Sequence, residues 1–298
     1  MSDKVCIDRL GRKEEAWSFI PAGPFKMGSE DGASDERPVR RVTLDAYCPA
    51  KYEISNDDWA RYKAATASPS QGKFELVHID CTPQSNEKVL DTRSTREKLA
   101  ASPANILADH KSVCGVRSRE VLPPVQVEDE LPSPKGFDAP NQPRVNINRQ
   151  EARGYCQWLG GDLMTEAQWE KAAKGGRDLE YPTADGKRPT KDSANYNYFF
   201  GKTVAVNSYD ANPFGLHNMA GNVWEWVLDN YDRSAYAYLS AENPINLKET
   251  GPGVLRGGGW GSNNGDSLRA AARSSLAPTV RNYYFGARCA LSPEDLNQ

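Results

Sequence analysis

Residues Asn218-Met-Ala-Gly-Asn-Val-Trp-Glu-Trp226 place an acid, two asparagine amides, a glycine and two indoles in one short stretch. Gly221 marks a turn or a close approach of two backbones. Asn218 and Asn222 can close turns with their side chains. In an extended segment neighbours point to opposite faces, so Trp224 and Trp226 would share one face and Glu225 would take the other. A carboxylate there needs a partner, because burying a bare charge is costly. Two partners meet the need. One is a buried salt bridge beside the turn. The other is a hard cation held by carboxylate, amide and backbone oxygens, which requires about six to eight oxygen ligands.

The rest of the chain has to position this stretch. Its 298 residues are 38% hydrophobic and 26% charged, the composition of a globular protein with one large domain or two small ones. A net charge of -3 gives no overall basic footprint, so no nucleic-acid partner is expected. No apolar run is long enough to span a membrane. The first residues, MSDKVCIDRLGRKEE, are polar and unlike a signal peptide, which fits either a cytoplasmic protein or a trimmed, extracytoplasmic mature form. Six dispersed cysteines (Cys6, Cys48, Cys81, Cys114, Cys156 and Cys289) form no CxxC pair, and three histidines accompany them, so a structural zinc site is not expected. An even count suits three disulfides in an oxidising compartment, and six buried thiols in a reducing one is the alternative.

Residues 1–16 read as a polar arm and 17–298 as one domain. Within it, WSFIPAGPFKMG at 17–28 predicts two short strands around a Pro-Gly turn, and the alternation of Val42, Leu44 and Ala46 predicts a half-buried strand. Ser55 or Asn56 can cap a helix from Asp57 to about Ala65, with acids in its first turn. Residues 66–140 are rich in Ser, Pro and charge and lack periodicity, so they read as an insertion that a Cys81–Cys114 bridge would tether. Asn148 with Glu151 predicts a capped helix from Arg149 to Leu159, stopped by Gly160-Gly161. Thr165 with Gln168 predicts another helix to about Lys174. The end of the chain reads as short strands joined by glycine-rich and polar turns.

These pieces resemble the formylglycine-generating enzyme / sulfatase-modifying-factor family. The resemblance covers about residues 17–291 apart from the insertion. It is carried by Ile20-Pro-Ala-Gly-Pro-Phe-Lys-Met-Gly28, Tyr52-Glu-Ile-Ser55, Pro143 to Trp158, Thr165-Glu-Ala-Gln-Trp-Glu170, Asn212-Pro-Phe-Gly-Leu216, Gly221-Asn-Val-Trp-Glu-Trp226, Arg256-Gly-Gly-Gly-Trp260 and Gly286-Ala-Arg-Cys289, all in the family's order. It implies an α+β fold: an irregular single domain of the C-type-lectin-like kind, with little regular secondary structure. It implies a structural calcium ion held by the side chains of Asn218 and Glu225 and the carbonyls of Gly221 and Val223. A second calcium site would fall at Asn195 and Tyr196, where Tyr198 replaces the acidic ligand. Cys156 and Cys289 sit where family members often have a disulfide.

The name-giving chemistry is a different matter. Those enzymes oxidise a substrate cysteine with copper held by two thiolates after the Gly-Gly-x-aromatic motif, since soft sulfur selects copper(I). Here the segment reads Gly261-Ser-Asn-Asn-Gly-Asp-Ser-Leu-Arg269, with Ser262 near the first position and Asp266 or Ser267 near the second. Neither a hydroxyl nor a carboxylate replaces a thiolate there, so no copper is expected. A second branch of the family uses iron held by clustered histidines, and the scattered His78, His110 and His217 do not supply that. A third group works without the paired cysteines, and for it Asp266, Arg269, Arg273 and Glu225 could line a pocket; pairing of those arginines with acids and aromatics is the plainer alternative.

Trp260 to Phe285 also reads as a display surface. Trp260, Ser262, Asn263, Asp266, Ser267, Arg273, Ser275, Asn282, Tyr283, Tyr284 and Phe285 combine small adaptable polar groups with a tyrosine cluster, the composition of an antibody loop. A plain loop with tyrosines packed over it is the alternative. The arrangement resembles the variable proteins of diversity-generating retroelements, which display altered residues on this same lectin-like frame. The sequence therefore leads to a binding protein for an unknown protein or small-molecule ligand, with calcium as a structural ion. An oxidoreductase with a different site, or an accessory surface protein, are the alternatives.

Overall fold

The computed structural model describes residues 6, 10–11, 16–67, 131–248 and 250–291, all within one compact unit made of residues 1–68 and 122–298. Most of the expected insertion, and with it the Cys81–Cys114 pair and His78 and His110, lies outside the described residues.

Three helices begin where their caps dictate. Helix α1 (Asn56–Thr66) starts at Ser55, whose hydroxyl accepts from the Asp58 amide while Asp58 accepts from the Ser55 amide. Helix α2 (Arg149–Trp158) has the same reciprocal box between Asn148 and Glu151, and α3 (Glu166–Ala173) between Thr165 and Gln168. Each box satisfies amides that the first helical turn cannot bond internally. A short helix, α4, spans Ala235–Tyr238.

The strands are short and fall into three small sheets. Strands β1 (Gly23–Met27) and β2 (Arg40–Leu44) form an antiparallel pair; the alternation predicts β2, while of the two strands expected in 17–28 only the second forms, with Trp17 and Ile20 making isolated bridges to Ala50 and Tyr47. Strands β3 (Cys48–Pro49), β4 (Asp162–Leu163) and β9 (Cys289–Leu291) form a second sheet in the order β3-β9-β4. The third sheet runs β7-β6-β5-β8, from β5 (Trp224–Asn230), β6 (Gly253–Arg256), β7 (Ser274–Leu276) and β8 (Phe285–Ala287). The pairing of β5 with β8 is parallel, and a register shift between Trp226 and Asn230 interrupts its ladder with β6.

Disulfides and buried ion pairs fasten these pieces together. Cys156–Cys289 ties α2 to β9, as the family resemblance implied, and Cys6–Cys48 ties the arm to β3. Under α3, the fully buried Glu170 accepts from the Gly28 amide at 2.6 Å, from Lys174 at 3.0 Å and from Arg256 at 2.5 Å. Arg256 and Lys174, the latter fixed also by the carbonyls of Lys26 and Gly28, hold that carboxyl below its usual range despite its burial. No helix among the described residues is long and apolar enough to cross a membrane.

Candidate functional site

The Asn218–Trp226 stretch is a left-handed turn running into the central strand. Asn218, Gly221 and Asn222 have φ of 54°, 84° and 62°. At Gly221 a Cβ would lie 2.4 Å from the Asn195 carbonyl oxygen, so only glycine permits this approach. Beyond the turn, the β5 alternation sends Trp224 and Trp226 into one apolar cluster and Glu225 to the opposite side. There Glu225 meets Arg288. The Arg288 Nε donates to both carboxylate oxygens at 2.9 Å, and its second terminal nitrogen donates to Oε1 at 2.7 Å. The Trp169 indole adds a bond to Oε2 at 2.7 Å. The Arg288 side chain is fully buried, and its remaining donors reach the carbonyls of Ala50, Lys51 and His217. Of the two partners that Glu225 could have taken, it has the salt bridge.

The other side of the turn holds an amide network around an acid that sequence reasoning did not single out. Glu53 is 1% exposed. It accepts from Asn222 Nδ2 at 2.8 Å and from Asn218 Nδ2 at 3.1 Å. Asn222 Oδ1 in turn accepts from the Val204 amide and from Asn195 Nδ2. Among the described residues Glu53 has no cation of its own, since Arg288 is committed to Glu225. Burial therefore pushes its carboxyl up to about 8, Arg288 opposing and Glu225 adding to the shift. Two buried oxygens, Asn218 Oδ1 and Asn195 Oδ1, accept no hydrogen bond. Turning the Asn218 amide over would aim its oxygen at Glu53, which would then need a proton or a cation between them. The family's calcium ligands thus fit in part: Asn218 and Asn195 offer free oxygens, and Glu225 does not. The acid of Tyr52-Glu-Ile-Ser55 was on view in the sequence, but its partners lie about 165 residues away in the chain.

A folded Glu53 that keeps its proton to about pH 8, against 4.5 as its ordinary value, takes up a proton on folding between those limits. Its contribution to stability is therefore fully present below the lower limit and is lost as pH rises through the upper one. In chelator, Glu53→Gln is expected to melt with the parent near about pH 5 and above it near about pH 9, because glutamine mimics the protonated acid. Parallel melting curves at the two pH values would refute this.

The third component is aromatic. Trp260 follows the Arg256-Gly-Gly-Gly turn, and its amide donates to the Asn222 carbonyl at 2.8 Å, which ties it to the amide network. Its ring stacks on Tyr284 at 4.8 Å and Tyr283 at 5.9 Å and meets Tyr198 edge-on at 5.4 Å and Phe137 at 5.4 Å. Gly261 makes the packing possible, since a Cβ there would sit 2.4 Å from the Tyr284 ring. Burial, with hydrogen bonds among the Tyr284, Tyr283 and Tyr198 hydroxyls, pushes the Tyr284 phenol above its ordinary value. The indole is 5% exposed, but Tyr283 is 39%, Tyr198 50%, Phe199 42% and Phe200 52% exposed. The sequence marks Tyr198 only as the replacement of an acidic calcium ligand and leaves Phe199 and Phe200 unremarked, although three consecutive aromatics in an Asn-rich turn were a visible signal.

The expected Trp260–Phe285 surface is only partly assembled around this group. Ser262 belongs to it, its carbonyl accepting from the Asn197 amide, and Asn263 beside it is exposed. Asn282 supports it by accepting from the Tyr284 amide. Asp266 is exposed and pairs with Arg188 at 2.9 Å, and the Ser267 hydroxyl donates to the Asn264 carbonyl. Arg273 has to be removed from the surface. Its side chain is buried, donates twice to Glu166 at 2.7 and 2.8 Å and lies against the rings of Tyr231 and Tyr236. Phe285 also points inward, packing on Trp226 at 5.7 Å, and Ser275 is half-buried within β7, opposite Val254. The other arginine weighed for a pocket, Arg269, is paired as well, with Glu36. His217 stacks on Tyr52 at 4.9 Å and bonds the Tyr209 carbonyl, the ordinary structural role. No group of three or more His, Cys, Asp or Glu that could hold a metal ion occurs among the described residues.

A family model described as the sulfatase-modifying factor enzyme 1-like domain matches residues 7–293. The chain belongs to this family. It is 30% identical over 302 residues to the formylglycine-generating enzyme of Thermomonospora curvata, covering 92% of each protein. It is 33% identical over 278 residues to the serine/threonine-protein kinase pkn1 of Chlamydia pneumoniae, covering 91% of this chain and 37% of the kinase. The chain thus spans little more than a third of that relative's length. Treponema denticola variable protein 1 shares the fold, with a TM-score of 0.57 at 19% identity, over 92% of this chain and 94% of that one. The α+β, formylglycine-generating-enzyme-type architecture expected from the sequence is therefore the one this sulfatase-modifying-factor domain adopts. The segment for which the family resemblance implied copper thiolates carries Ser262, Asp266 and Ser267, with Ser262 beside the aromatic group.

Proposed function

We propose that this sulfatase-modifying-factor domain is a binding module rather than an oxidase, and that its ligand surface is the aromatic group of Trp260, Tyr283, Tyr284 and Tyr198 with Ser262 and Asn263 at its rim. The observation that carries this reading is the exposed tyrosine cluster standing beside the segment from which both thiolates are missing. Tyrosines give large contact area at small entropic cost, and Ser and Asn add adaptable hydrogen bonds. The ligand is a protein segment or small molecule with flat or apolar groups. The kinase relative, matched over about a third of its length, fits a domain that serves recognition alongside another activity.

Calcium is the structural ion of this reading. Asn218 and the carbonyls of Gly221 and Val223 hold it, with Glu53 supplying the anionic oxygen that Glu225 cannot. Asn195 and Tyr196 offer a second, weaker position. The free Asn218 and Asn195 oxygens support this, as does the buried Glu53 carboxyl, whose proton a cation would displace. Calcium is expected to raise the melting temperature of the parent and leave Asn218→Ala unmoved. Identical shifts in both proteins would remove the site.

The binding role is tested with peptide and glycan arrays probed by the whole chain. A set of ligands retained by the parent and lost by Tyr283→Ala and Tyr198→Ala is the expected result, with truncation of an anchor costing about tenfold or more. In parallel, the protein is given copper(I), oxygen and a cysteine-containing peptide. Stoichiometric copper uptake with oxygen consumption would overturn the reading in favour of an oxidoreductase.

A further inference from the structure

The β1–β2 pair carries a feature that the aromatic surface does not explain. Its register sets Lys26 directly opposite Arg41. Phe25, Val42 and Leu44 face the apolar core, while Lys26 and Arg41 are exposed. Like charges directly opposite each other in an antiparallel pair are destabilising. Little nearby relieves them. Lys26 has one carboxylate within reach, Asp178 at 3.7 Å, which also serves Lys174 and is itself half exposed. Arg41 has no hydrogen-bonded or ionic partner among the described residues. Arg40 alternates to the other side of the strand, with one donor fixed on the Tyr236 carbonyl at 2.8 Å. Together with Pro24, Phe25 and Val39, these residues line an open groove of about 380 Å³. Three basic residues and no carboxylate line it, in a chain whose net charge is -3.

We infer that this groove binds a phosphate monoester of an apolar group, the phosphate held between Lys26 and Arg41 and the apolar part lying on Pro24 and Val39. A guanidinium presents a fork of donors that matches phosphate oxygens two at a time, which a lone ammonium does not. A phosphate monoester carries nearly two negative charges at neutral pH, so it answers the opposed Lys26–Arg41 pair better than a single carboxylate does. The apolar lining selects against inorganic phosphate. The groove is the size of a small-molecule site. The same head group occurs on small metabolites and on phosphotyrosine side chains, and both are covered by the chemistry.

The test is calorimetric titration of the whole chain at low salt with phenyl phosphate, inorganic phosphate, phenol and a short phosphotyrosine peptide. Phenyl phosphate is expected to bind about tenfold tighter than inorganic phosphate, and phenol not to bind. Arg41→Gln is expected to weaken phenyl phosphate by about tenfold, as loss of a charge-assisted bond does. The same variant is expected to melt at or about 1 °C above the parent, because the like-charge pair is relieved. Tyr283→Ala is expected to leave this binding unchanged, which separates the groove from the aromatic surface. A phosphotyrosine peptide that binds tighter than phenyl phosphate assigns the protein-borne source, and the reverse assigns the free ester. Unaltered affinity in a folded Arg41→Gln, or equal binding of phenol, would overturn the inference.

Discussion

Arg288→Met is expected to lower stability by about 3–5 kcal/mol, the loss typical of breaking a buried ion pair by removing one partner. For a domain of this size that is a fall on the order of 10 °C in melting temperature. The magnitude follows from what the guanidinium does. It neutralises Glu225, whose other bond is to the Trp169 indole, and it satisfies three carbonyls from two separate segments, Ala50, Lys51 and His217. Removing it leaves a carboxylate 1% exposed without its guanidinium, beside Glu53, whose carboxyl burial has already pushed up to about 8. A buried anion in that position takes up a proton or water enters, and either costs packing. Converting both partners, Arg288→Met with Glu225→Leu, is expected to recover part of the loss, since the desolvation of the pair is removed with it. The decisive comparison is Glu225→Gln in calcium and in chelator. An equal loss in both belongs to the salt bridge. A loss confined to calcium would put Glu225 back among the calcium ligands.

That pair also shows where the sequence was informative and where it was not. Local signals were legible. Ser55, Asn148 and Thr165 each stand three residues before the side chain that completes a capping box, and each begins a helix. The alternation around Glu225 correctly separated it from the two indoles. Its partner was not legible, because Arg288 is 63 residues away and nothing in a single chain joins them. The same limit applies to the display segment. The sequence leaves Arg273 either as a display residue or as an arginine paired with acids and aromatics, and Glu166 and two tyrosines from other elements draw it inward. Conversely, Tyr198 joins Trp260 through a backbone bond and a ring contact that no spacing rule foretells. Composition alone could mark the segment as rich in display residues. It could not sort which of them the fold would leave outside.

The second large effect concerns the Cys156–Cys289 bridge. Cys156→Ala/Cys289→Ala is expected to cost up to about 5 kcal/mol, because the bridge closes a loop of 133 residues. Cys6→Ala/Cys48→Ala closes 42 residues and is expected to cost about 1 kcal/mol less on chain entropy alone. Position widens the gap. Cys289 lies in the strand that is central to the β3-β9-β4 sheet and directly follows Arg288, so loosening it loosens both the sheet and the guanidinium. The variant should therefore be non-additive with Arg288→Met: the two losses together are expected to fall short of their sum. Chemical labelling gives an independent reading. Cys156 is fully buried, so in Cys289→Ser the freed thiol reacts only when the α2–β9 contact opens, and its labelling rate should rise with denaturant well below the global midpoint. Labelling as fast as an exposed thiol in native buffer would mean that the bridge holds α2 against β9 and the packing does not. A melt unchanged by removing the bridge would mean the opposite: the apolar cluster of Trp59, Tyr155 and Leu291 already holds the two elements together, and the covalent link adds little to the folded state.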